Sequence, residues 1–228
     1  AAFTTLTESG GDLVIDANSP AATTTVSVGT ETIGVGDTAD LTITASETGL
    51  TCSACTMNSE TLSGWTDNND NTYTATYTVV EGNTDRASGA SDFISLVLSD
   101  AAGNTNAAFT TLTESGGDLV IDANTPSITS ATITAATYAV GDAITITIDA
   151  GETGLTQSAI TVNGVAVTAF NDANDNTYTA TYTVVEGNTD RASGASDFIS
   201  VVLSDGENTN SAYTTLAESG GAVVIDAT

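Results

Sequence analysis

The chain has 228 residues, 29 Asp plus Glu against 2 Lys plus Arg, no His, and a formal net charge of -27. That sign repels phosphates and anionic headgroups, which argues against nucleic acid or a membrane surface as partner. The missing His and Lys also exclude Ser–His and Cys–His triads, Schiff bases and lysine isopeptide cross-links. No apolar run approaches the roughly 18 residues of a membrane span, yet 40% hydrophobic residues are enough to bury a core. Disorder is therefore not expected.

In chain order, the first segment is AAFTTLTESGGDLVIDAN, residues 1–18, and the same eighteen letters return at 107–124. A diverged version, AYTTLAESGGAVVIDAT, begins at Ala212. Pro20 and Pro126 each follow an Asp-Ala-Asn turn, which suits a link between domains. The expected organisation is residues 1–18 as the closing strands of a preceding repeat, or else a donor or linker segment, then repeats over 19–124 and 125–228. Next in the first repeat come Cys52 and Cys55, with Gln157 and Ile160 at those places in the second. With no His and no further Cys a zinc site cannot be completed, and a local disulfide is expected. A cross-link to a neighbouring subunit is the alternative. Trp65, matched by Phe170, is expected to fill a core or cap a hairpin, and TDNNDNTY after it reads as a hairpin turn.

The run NTYTATYTVVEGNTDRASGASDFIS starts at Asn71 and again at Asn176. Its opening shows period two: Tyr73, Ala75, Tyr77 and Val79 point one way and the intervening Thr the other, the signature of a strand with one buried face. The run contains Arg86 and Arg191, the only basic side chains of the chain. Arg86 lies near Glu81, Asp85 and Asp92, and Arg191 near Glu186, Asp190 and Asp197, so each Arg is expected to fork onto a neighbouring carboxylate and fasten the loop. In the second repeat Ile144, Ile146 and Ile148 alternate with Thr, as do Ile199, Val201 and Leu203 with polar residues. Asn163-Gly164 between apolar runs is a hairpin signal, because both residues tolerate positive φ. No stretch has helical spacing. About seven strands in each repeat, with Asx and Gly turns, predict an all-β chain of tandem immunoglobulin-like β-sandwiches, with a small barrel as the alternative.

YAVGDAITITI, DNNDNTYTATYTVVEGNTD, VVLSDGENTN and VIDANTP resemble the tandem bacterial immunoglobulin-like repeats of giant cell-surface proteins, including the extenders of calcium-dependent adhesins and related surface-layer or filament proteins. The resemblance implies a rod in which calcium at domain junctions and loop ends adds stiffness. Calcium takes six to eight oxygens from carboxylates, amides and carbonyls. The candidate ligands recur in register: Asp16 with Asn18, Asp122 with Asn124, Asp37 and Asp142, Glu47 and Glu152, Asp100 with Asn104, Asp205 with Asn208. The plainer alternative is that these side chains cap turns, and a high-salt habitat would also account for the acidity. The pattern thus points to a non-enzymatic structural module, extracellular or at the cell surface, a calcium-stiffened rod, extender, filament or surface-layer block whose partners are neighbouring repeats or copies of itself. A glycan- or protein-binding adhesive module acting through its loops is the second reading. The near-copied loops favour spacing over recognition.

Overall fold

A computed structural model describes residues 15–28, 31–89, 93–114, 118–195 and 198–228, with the backbone alone for 22–28. Residues 1–14, Asp92 and Asp197 lie outside the described residues. Two compact units divide the chain: Ala1–Glu31 with Asp37–Val120, and Thr32–Gly36 with Ile121–Thr228.

All regular elements of the described residues are strands. In unit 1 one sheet runs Ser63–Asp67, Thr72–Thr78, Thr38–Ala45, Ala22–Val28, Thr113–Glu114, and the other runs Glu60–Thr61, Thr51–Met57, Ile94–Ser99. Unit 2 repeats both orders, with Ala169–Asp172, Thr177–Thr183, Ala143–Ala150, Ile128–Thr134, Ala217–Ser219 in one sheet and Val165–Ala166, Thr156–Val162, Ile199–Ser204 in the other. In each unit the four antiparallel strands of the larger sheet follow the A, B, E, D arrangement of an immunoglobulin domain. The smaller sheet supplies C and F, and the chain after F returns along it through the bridges Leu96 to Phe109 and Val201 to Tyr213, the place of strand G. The fold is therefore a tandem immunoglobulin-like β-sandwich.

Alternation explains why these segments pair as they do. Tyr73, Ala75, Tyr77 and Val79 are all buried, as are Ile144, Ile146 and Ile148. In unit 2 these residues meet Ile160, Val162, Val201 and Leu203 of the opposite sheet in one core. Each fully buried aliphatic side chain contributes about 1.5–3 kcal/mol relative to exposure. Burial would leave the Tyr hydroxyls unpaired, so each is given a partner. Tyr73 donates to the Glu47 carbonyl at 2.8 Å and accepts from the Leu50 N–H at 3.1 Å. Tyr178 does the same with Glu152 and Leu155, at 2.9 and 3.0 Å. Burial pushes all four core Tyr phenols above their ordinary pKa.

Turn chemistry sets the register. Asn163 and Gly164 take φ of 53° and 76°, so the hairpin signal is met. The unit 1 counterpart is Asn58-Ser59, with Ser59 held at φ 70°. The TDNNDNTY turn closes with Asn68 N–H on the Thr72 carbonyl at 3.0 Å and positive φ at Asn69 and Asn71. Antiparallel pairing slips by one residue between Cys52 and Ala54 and again between Gln157 and Ala159. The bulge is thus a property of the fold and not of the cysteines. The first long strand of each unit pairs in parallel with a short strand near the unit's end, Ser27 with Thr113 and Thr132 with Ala217.

Candidate functional site

The closing strand and the Arg loop form one socket in each unit. The Arg86 guanidinium is buried, with Nη2 2.6 Å from Glu114 Oε1, Nη1 donating to the Leu119 carbonyl, and its carbon 4.0 Å from the Phe93 ring centre. Arg191 stands the same way: Nη2 lies 2.5 Å from Glu218 Oε1 and also donates to the Ala195 carbonyl, Nη1 donates to the Val223 carbonyl, and the Phe198 ring centre is 3.8 Å away. A planar fork with a ring beneath it suits Arg and not Lys. Glu218 is held below the ordinary carboxylate range by its hydrogen bond from Arg191 and then by the Val223 N–H at 3.1 Å.

Each Arg also reaches a carboxylate far away in sequence. Among the described residues ion pairs run to Glu114 and Glu218, the latter 27 residues downstream of its Arg; the expected partners Asp92 and Asp197 lie outside the described residues. Asp190 instead accepts the Ala227 N–H at 2.7 Å, and Asp85 is its counterpart in unit 1. The physical reason is topology. The closing strand, far away in sequence, returns in parallel beside the first strand and brings its Glu to the Arg.

The Asx loops behave largely as turn caps. Asp100 Oδ1 accepts the N–H groups of Ala102 and Asn104 at 2.9 and 2.8 Å, and its Oδ2 takes the Asn104 amide at 2.8 Å. That amide bond, more than the backbone ones, lowers the Asp100 pKa. Asp205 Oδ1 likewise accepts from Glu207 and Asn208 at 3.0 and 2.7 Å. Asp142 caps Ala139 N–H at 2.8 Å, while Glu47 and Glu152 contribute the backbone carbonyls that receive the Tyr hydroxyls.

Two of the expected groupings do converge. Asn104 donates to the Asp16 carbonyl at 3.3 Å, and Asp16 caps the Asn18 N–H at 3.0 Å. In unit 2 buried Asn208 accepts the Val35 N–H at 2.7 Å and donates to the carbonyls of Asp122 and Asn124 at 3.1 and 3.3 Å. Asp122 Oδ1 is 3.4 Å from the Asn124 N–H. A Cβ on Gly34 would come within 2.5 Å of the Asn208 Oδ1, so Gly is required there by close approach and not by φ. Among the described residues no three His, Cys, Asp or Glu side chains gather where one metal ion could sit.

Cys52 and Cys55 are joined by a disulfide on one strand, with their Cα atoms 5.9 Å apart. Trp65 stacks on Tyr73 with ring centres 5.0 Å apart and donates to the Leu50 carbonyl at 3.2 Å; Phe170 stacks on Tyr178 at 5.5 Å. The exposed large hydrophobic residues among those described are Ile15, Val80, Val140 and Val185, none of them aromatic.

No protein-family model and no curated protein matches this chain. Solved structures do. The chain is similar to the I-band fragment I67–I69 from titin, at 8% identity and a TM-score of 0.44 over 92% of this chain and 66% of that one. It is similar to the tandem Ig repeats of Dlar at 15% identity, a TM-score of 0.25, and 91% and 97% coverage. A third is the titin domains Z1Z2 in complex with telethonin, at 12% identity, a TM-score of 0.27, and 93% and 98% coverage. At these identities the likeness concerns the fold alone.

Proposed function

We propose that the chain is a tension-bearing structural spacer built from repeated immunoglobulin-like units, part of an extracellular or cell-surface protein. The observation that carries this reading is the parallel pairing of first and closing strands in each unit, Ser27–Val28 with Thr113–Glu114 and Thr132–Thr134 with Ala217–Ser219. Thr137–Ala139 pairs in parallel with Val224–Asp226 as well. Pulling opposite ends of such a unit slides the two strands along each other, and all bonds of the ladder load together instead of opening one by one. The Arg socket adds an ion pair and carbonyl bonds to the same closing segment. A disulfide agrees with an oxidising compartment. Catalysis has no support from composition, and Trp65 and Phe170 stack internally on Tyr73 and Tyr178, which speaks against those two rings as a sugar-stacking surface.

The direct test pulls unit 2 in two geometries. Drawn through the chain ends, the unit is expected to resist several-fold more force than when drawn through Thr132 and Ala217, which face each other across the ladder and would be peeled apart. Equal forces would refute the reading. Calcium stiffening is the second component of the proposal, supported by the convergence of Asp16, Asn18, Asp100 and Asn104 under a charge of -27. Calcium specific to those sites raises the melting temperature saturably and beyond sodium chloride at matched ionic strength. Identical effects of the two salts would reduce calcium to screening.

A further inference from the structure

Away from the Arg socket, one edge of each sandwich is open. The segments NAAFTTL at 106–112 and NSAYTTL at 210–216 run along the smaller sheet, where Phe109 exchanges both backbone bonds with Leu96 at 2.9 and 3.0 Å and Tyr213 exchanges both with Val201 at 3.0 Å. Successive residues of a paired extended segment turn their backbone groups to opposite edges, so Ala108, Thr110, Ala212 and Thr214 present theirs away from the sheet. All four residues are exposed, and among the described residues none of their N–H or carbonyl groups is bonded. Space is left beside them. A cleft of about 340 Å³ lies between Thr105–Phe109 and Ser19–Ala21 in unit 1, and one of about 320 Å³ borders Thr214–Leu216 in unit 2.

Sheets guard open edges with charge, bulges, Pro or very short strands. Ser63–Asp67 has a register shift and ends in Asp67, Ala169–Asp172 ends in Asp172, Thr113–Glu114 and Ala217–Ser219 carry the socket Glu, and Glu60–Thr61 and Val165–Ala166 are two residues long. In a chain of net charge -27, NAAFTTL and NSAYTTL hold no charged residue, no Pro and no Gly. We propose that each is a lateral docking edge that pairs antiparallel with the same edge of a second copy. The free groups set the register. With a two-fold axis at Phe109, Ala108 exchanges both bonds with Thr110 of the second copy and Thr110 with its Ala108; Ala212 and Thr214 do the same about Tyr213. One surface thus serves both copies, and no like charges face each other across the new ladder. Long-range repulsion between two chains of charge -27 opposes the contact, and salt screens it. Pairing of this kind is independent of whether the chain bears tension.

The test is the mass of the full chain by light scattering at hundreds of micromolar, in about 10 mM and about 1 M sodium chloride, between which the screening length falls from about 30 to about 3 Å. The expected result is monomer at low salt and at least twice the monomer mass at high salt. Ala108→Pro with Ala212→Pro removes two outward N–H groups without touching the bonds to Leu96 and Val201, and is expected to stay monomeric at both salts. Should the prolines lower the melting temperature, amide exchange of the unaltered chain at high salt decides instead, with Thr110 and Thr214 expected to gain at least tenfold protection between dilute and concentrated solution. A chain that stays monomeric at high salt overturns the proposal. So does a rise in mass that the prolines leave untouched, or one that leaves exchange at Thr110 and Thr214 unchanged.

Discussion

Unit 1 and unit 2 reach one fold with different local chemistry. Unit 1 places a disulfide across the bulge at Cys52 and Cys55, a Trp over Tyr73, and a Ser in left-handed backbone at the hairpin. Unit 2 has Gln157 and Ile160, Phe170 over Tyr178, and Gly164. The bulge, the stack and the hairpin survive these changes, whereas the Arg, its ring, its distant Glu and the carbonyl it binds stay the same. Features that vary adjust stability, and the shared socket fixes how the sandwich is closed.

Breaking the socket should therefore cost most. Arg191→Gln removes a buried charge that its partners are arranged around, and a loss of about 3–5 kcal/mol is expected in denaturant unfolding of unit 2, with Arg86→Gln doing the same to unit 1. Acid sharpens the point. Because the Glu218 pKa is lowered in the folded unit, its contribution is fully present above the unfolded value of about 4.3 and is lost as pH falls through the folded one. Glu218→Gln should flatten the acid limb of the melting curve of unit 2.

Next in size is the Asn208 tie. Asn208→Ala leaves the Val35 N–H and the Asp122 and Asn124 carbonyls without that partner, an expected loss of about 1–3 kcal/mol. Gly34→Ala should act in the same direction through the clash with Asn208 Oδ1. Converting Cys52 and Cys55 to the Gln and Ile of unit 2 should cost no more than about 2 kcal/mol, since the loop they close is short, and the bulge should persist in the spectrum of the variant. The smallest effect is a gain: Ser59→Gly, with φ 70° already in place, should raise stability by up to about 1 kcal/mol.

Much of the sandwich was legible because strands with one wet face must alternate, and Tyr73, Ala75, Tyr77 and Ile144, Ile146, Ile148 do so without exception. The two arginines were legible as loop fasteners for a simpler reason, being the only cations available. Sequence neighbourhood pointed to Asp85, Asp92, Asp190 and Asp197, of which Asp92 and Asp197 lie outside the described residues; the pairs to Glu114 and Glu218 come from a strand parallel to the first, a relation no local pattern encodes. Glu47 and Glu152, expected as calcium ligands, also lend their backbone carbonyls to the buried Tyr hydroxyls. The recurrence of Tyr73 and Tyr178, each needing an acceptor once buried, was the signal that could have disclosed it.

Hydrogen exchange of the full chain carrying Arg191→Gln, beside the unaltered chain, tests the socket most directly. The expected result is loss of protection in unit 2, at Thr177–Thr183 and Ile199–Ser204, with Thr72–Thr78 and Ile94–Ser99 of unit 1 unchanged. Full protection retained in Ile199–Ser204 would contradict the claim that the buried arginine closes the sandwich.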